Sequence, residues 1–117
     1  MLRYALLISL SSLCLIHAAT AQEPAYAGRW ANEAAWCRNK LGTTDEIAMR
    51  FTARRVDGFE FYCSFDRVGG GNGRWDIAAT CHGEGMTEKR RFSLARDGDV
   101  LVWSERGKPT LRLARCR

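Results

Sequence analysis

From Ile47 to Leu113, apolar side chains recur at alternate positions, and glycine-bearing turns cut the pattern into short runs. Ile47, Met49 and Phe51 form one set. Phe59, Phe61, Cys63 and Phe65 form the next, with Glu60, Tyr62 and Ser64 opposite. Trp75, Ile77, Ala79 and Cys81 follow, then the pairs Phe92 and Leu94, Leu101 and Trp103, Leu111 and Leu113. Between them stand Asp57-Gly58, the run Gly69-Gly70-Gly71-Asn72-Gly73, Gly83-Glu84-Gly85, Asp97-Gly98 and Gly107-Lys108-Pro109. A strand turns successive side chains to opposite faces, so period two buries one face of each run. Closely spaced runs joined by tight turns predict an all-β domain: a small antiparallel meander barrel, or a half-barrel, of about six to eight strands.

One segment breaks the alternation. Ala31 to Arg38 is alanine-rich and lacks β-branched residues, which predicts a short helical turn after a first strand ending at Trp30. Asn32 is the expected cap.

The N-terminus reads as a leader. Arg3 precedes an apolar stretch that ends at Ala19-Thr20-Ala21, the charged, apolar and small-residue order of a secretory signal over residues 1–21. A membrane anchor is the competing reading, but Ser9, Ser11 and Ser12 interrupt a stretch short of the ~20 apolar residues a span needs. Cys14 follows Leu13, where lipid-attachment signals carry Gly or Ala. This leaves residues 22–117 as a single domain carrying Cys37, Cys63, Cys81 and Cys116. An even cysteine count in a short exported chain implies two disulfides and a periplasmic or secreted location. The absence of any C-x2-C clip argues against zinc. Four cysteines allow three pairings; the one expected is Cys37 to Cys63 with Cys81 to Cys116.

Gly28-Arg29-Trp30 on the first strand, with Arg112 and Arg115 on the last, resembles the pattern of the calycins. In lipocalins and their relatives a Gly-x-Trp packs against a basic residue of the final strand at the closed end of a barrel. The resemblance implies that Gly28, Trp30, Arg112 and Arg115 form a structural anchor in which a cation covers the indole face. In size the chain is similar to the small periplasmic inhibitors of bacterial metalloproteases, which share the barrel type. It is also similar to small exported proteobacterial proteins with a Gly-x-Trp, four cysteines and a C-terminal Arg-Cys.

Catalytic motifs are not apparent. Beyond the leader His82 is the one histidine, and Ser64, Ser93 and Ser104 are the serines, none of them in a G-x-S-x-G elbow. Glu84 and Glu88 flank a turn, where paired carboxylates are ordinarily solvated. The glycine run at 69–73 lies between alternating runs and lacks the Lys-Ser/Thr of a phosphate loop. The acids after Arg96 lack the closing glutamate of a calcium loop, since Lys108 occupies that position. No cofactor is expected.

The expectation is therefore a non-enzymatic, monomeric binding protein. Without Arg3, 17 Lys and Arg face 13 Asp and Glu, a balance of +4. The basic clusters fall short of a nucleic-acid-binding run. Two partner classes remain. The first is another envelope or extracellular protein, such as a hydrolase. The second is an anionic envelope polymer (lipopolysaccharide, peptidoglycan or acidic lipid) held by Arg54, Arg55, Lys89, Arg90 and Arg91.

Overall fold

A computed structural model describes Cys14 and residues 22–117. The leader expected over residues 1–21 lies outside the described residues, Cys14 apart. The remainder forms the expected all-β fold: a closed barrel of eight antiparallel strands in simple meander order. The strands are β1 (Gly28–Ala31), β2 (Met49–Thr52), β3 (Arg55–Gly58), β4 (Phe61–Gly71), β5 (Arg74–Gly83), β6 (Met86–Asp97), β7 (Val100–Ser104) and β8 (Leu111–Arg115). The helical turn after the first strand is a 3-10 helix over Ala34–Arg38. Its cap is Glu33, which makes no side-chain hydrogen bond to it, so Asn32 does not take the expected role. Among the described residues no helix is long and apolar enough to cross a membrane.

Closure is the short contact of β8 with β1, where Trp30 faces Arg115 and Ala31 faces Ala114. The alternating residues fill the lumen. Trp30, Phe51, Val56, Cys63, Leu94, Leu101 and Leu113 are essentially without solvent contact. Six rings run through it in sequence: Trp75, Tyr26, Phe65, Phe92, Trp103 and Phe51, with centroid separations of 4.4 to 6.1 Å. Two expected core residues stand outside: Phe59 is at the β3–β4 turn, and Leu111 is at the start of β8.

One end of the barrel is sealed. The Trp30 indole Nε1 donates to the Tyr26 carbonyl at 2.9 Å, and the Tyr26 hydroxyl donates to the Ala53 carbonyl at 2.6 Å. Arg115 lies 6.0 Å from the Trp30 ring, while Arg96 lies closer at 5.3 Å. Arg112 alternates with buried Leu113 and faces outward, so it takes no part in this seal. Gly28 has a φ of +131°, a backbone state that a side chain rarely tolerates.

The disulfides differ from the expected pairing. Cys63 bonds Cys81, and Cys37 bonds Cys116. The reason is topological: Cys63 and Cys81 are direct cross-strand partners in β4 and β5, while closure returns the chain end to the first strand. The loops span 18 and 79 residues. In the chain-entropy picture these bridges contribute about 3 and about 4.5 kcal/mol.

Two stability outcomes follow from this. Trp30→Ala is expected to cost about 3–5 kcal/mol by urea unfolding, against a small effect for Arg112→Ala. Replacing both Cys37 and Cys116 by Ser lowers stability more than replacing Cys63 and Cys81, as the longer loop requires. Equal losses from the two double variants would contradict the loop argument.

Candidate functional site: the open mouth of the barrel

The end opposite Trp30 is not sealed. A cleft of about 370 Å³ opens there between Met49, Phe61, Trp103, Pro109 and Leu111. At its floor lies an ion pair. The Arg90 Nε donates to Glu105 Oε1 at 2.9 Å, and its Nη2 makes a second, parallel contact to Glu105 Oε2. The two side chains are only 20% and 10% exposed, and the guanidinium lies 5.9 Å from the Trp103 ring. Lys108 Nζ stands 3.9 Å from the same carboxylate, and Glu88 Oε1 4.0 Å from Arg90. A forked guanidinium–carboxylate pair of this kind holds both groups in one orientation.

Alternation places the pair there. Arg90 shares its parity with Phe92 and Leu94, and Glu105 with Leu101 and Trp103, so both turn toward the lumen where the apolar side chains give out. The Glu105 carboxyl is held below the ordinary glutamate range, chiefly by the hydrogen bonds from Arg90; desolvation opposes this, and the charges of Arg90 and Lys108 add to it. The Arg90 guanidinium is raised by the same contact.

The rim is apolar. Met86 is 66% exposed, Phe59 44% and Leu111 38%. Phe61 is half-buried beside them and pairs across strands with Gly58 and Gly83. A Cβ on Gly58 would come within 2.0 Å of the Phe61 ring, so the glycine leaves the space that the ring covers. Glu60 and Glu84, at the two adjoining turn tips, hold φ of +56° and +50° without being glycine. Asn72, at the tip of the β4–β5 hairpin, shares this conformation, which two-residue hairpin turns require.

The structure disperses the basic residues singled out from sequence. Arg54 sits in the β2–β3 turn. Arg55 pairs with Asp57 at 2.8 Å and lies 4.1 Å over the Tyr62 ring. Lys89 pairs with Asp66 at 3.2 Å, and Arg90 enters the mouth. Arg91 is exposed on the opposite face of β6 from Arg90. His82 stacks on Tyr62 at 4.7 Å, with Nδ1 3.0 Å from the Thr87 hydroxyl. Among the described residues no three His, Cys, Asp or Glu side chains gather as a metal site would require. Sequence reasoning passed over Glu105 and Arg96. The signal for both was their parity with core residues, which marks a charge turned inward near a barrel end. Comparison with family models, with curated proteins and with solved structures finds no match to this chain.

The lowered carboxyl fixes a pH dependence. A group whose folded pKa is depressed stabilises the fold above its unfolded value, and that stability is lost as pH falls through the folded value. Acidification below about pH 4.3 therefore weakens the wild type at this pair. Glu105→Gln is expected to cost about 1–3 kcal/mol at pH 7, where Arg90 loses its charged partner. The variant loses less on going to pH 3 than the parent does. Urea unfolding at the two pH values tests this, and parallel losses would exclude Glu105 as the source.

Proposed function

We propose that this chain is an exported, non-enzymatic binding protein that engages another envelope or extracellular protein, such as a hydrolase, through the open mouth of its barrel. The observation that carries the reading is the contrast between a filled lumen and an apolar rim. Six packed rings leave the interior occupied, while exposed Leu111 lines the mouth and exposed Phe59 and Met86 line an adjoining cleft that shares Phe61 and Arg90 with it. Exposed apolar side chains grouped around a concave, partly charged floor mark protein-interaction surfaces.

The floor adds specificity. Arg90 and Glu105 satisfy one another when the mouth is empty, so an approaching polar group must match their orientation to gain from either. Around them stand Glu60, Glu84 and Glu88, so the β3–β4 and β5–β6 tips are acidic although the chain as a whole is basic. This suits a partner that offers an apolar side chain next to a basic one. The two disulfides favour an oxidising compartment.

The test is a pull-down from periplasmic extract with residues 22–117 as bait, run beside a Phe59→Ser/Met86→Ser variant. The expected partner is retained by the parent at moderate salt and lost from the variant. Binding anchored on apolar side chains survives screening that removes exposed charge contacts beyond about 8 Å. If the captured partner is a hydrolase, its activity falls on titration with the parent and not with the variant. Identical captures by the two baits would overturn the assignment of the mouth.

A further inference from the structure

A second site lies on the outer face of β4, β5 and β6, and it is independent of the reading of the mouth. Its starting point is an irregularity. The β4–β5 register pairs Phe65 with Ala79 and then Arg67 with Ala78, so Asp66 is an extra residue in β4. Strict alternation from Phe65 would send Arg67 into the core. The bulge turns it outward instead, as bulges re-aim side chains. Ala78 pairs on its other side with Arg91, giving a row Arg67–Ala78–Arg91 across three strands. Adjacent strands are about 4.8 Å apart, so the two arginines start about 10 Å apart over a methyl group. Side chains of that length can converge on one small anion above Ala78.

The next row is Gly69–Asp76–Ser93. A Cβ added to Gly69 would meet nothing closer than the Asp76 carbonyl at 3.8 Å, and its backbone is not in the left-handed region. A side chain would fit there, and its absence leaves the groove open. Arg67, Arg74, Asp76, Arg91 and Ser93 line that groove. Among the described residues no carboxylate lies within 4.0 Å of Arg67, Arg74 or Arg91. The neighbouring carboxylate of Asp66 is already occupied: Thr80 donates to it at 2.7 Å and Lys89 at 3.2 Å.

We propose that Arg67 and Arg91, with Ser93 and Asp76, form a binding site for a phosphate group that still carries a proton. The arginines supply charge-assisted donors to the unprotonated oxygens, the contact at which guanidinium is strongest. Asp76 gives the selectivity. An ionised carboxylate only accepts hydrogen bonds, so it welcomes a P–OH and repels an anion without a proton. Sulfate has no proton to offer near neutral pH. Free phosphate and a phosphate monoester share the required chemistry.

The experiment is an amide-resolved NMR titration of residues 22–117 at pH 7.0 and constant ionic strength. The probes are inorganic phosphate, sulfate and glycerol 3-phosphate. Saturable shifts at Gly69, Ala78, Arg91 and Ser93 with phosphate, and weaker ones with sulfate, are the expected result. Arg67→Gln and Arg91→Gln each weaken phosphate roughly tenfold or more, the loss of a charge-assisted contact. Arg112→Gln, on another part of the barrel, leaves it unchanged. Asp76→Asn strengthens sulfate and erases the preference. Glycerol 3-phosphate separates the sources: it binds at pH 5.5, below its second pKa of about 6, if the site takes an ester, and at neither pH if only free phosphate fits. Non-saturating shifts, equal binding of sulfate and phosphate by the parent, or indifference to Arg67→Gln would each overturn the proposal.

Discussion

The barrel depends on its shortest seam. β1 and β8 meet over two residue pairs, yet that contact removes the two free edges that an open sheet of this order would carry. So few ladder bonds need support, and it comes from both sides. The Cys116 amide donates to the Arg29 carbonyl at 2.9 Å, and the Arg29 guanidinium donates to the Cys37 carbonyl at 2.9 Å. The Cys37–Cys116 bond then ties the 3-10 helix to the strand end. Trp30 stands at the seam itself, fixed through its indole to Tyr26. The sealed end is therefore also the joint that closes the ring. Because the ring closes, Leu111 and Trp103 come to face Met49 and Phe61 across the opposite end, and the mouth exists.

The sequence is informative about strands because burial and alternation are the same fact in a barrel. Phe51, Phe65, Ile77, Leu94 and Trp103 all point where their parity sends them. It is less informative where topology decides. Pairing Cys37 with Cys63 assumes that neighbours in sequence become neighbours in space, whereas closure makes the first strand a neighbour of the last. Arg112 and Arg115 are both on β8, but only one parity reaches Trp30. Phe59 continues the apolar alternation of β4 back into the β3–β4 turn, which the spacing alone does not locate.

Charge at core parity was the signal left unread. Arg90 and Arg96 each fall two positions from a buried residue of β6, and Glu105, just past the end of β7, falls two positions from buried Trp103, in places where a hydrophobic pattern is expected to continue. A charged side chain there is affordable only at a barrel end, where its head group reaches water or a partner. Arg96 meets the Trp30 face and the Ala25 carbonyl at 2.8 Å, and Arg90 meets Glu105. These residues mark the two ends of the lumen as clearly as the aromatic residues mark its middle.

The wall is uneven. β4, β5 and β6 run for 11, 10 and 12 residues, against four each for β1, β2 and β3. The core runs along the inner face of these long strands, since Trp75, Ile77, Ala79 and Cys81 of β5 are all buried, and the alternate positions face outward. The outward positions carry the row Arg67–Ala78–Arg91 in mid-strand, and the β5–β6 turn tip lies beside the mouth. Arg90 and Arg91 sit side by side on β6 and, by alternation, point to opposite faces of it. One reaches the ion pair on the mouth floor, the other the groove beside Ala78. A single dipeptide thus contributes one side chain to each face of β6.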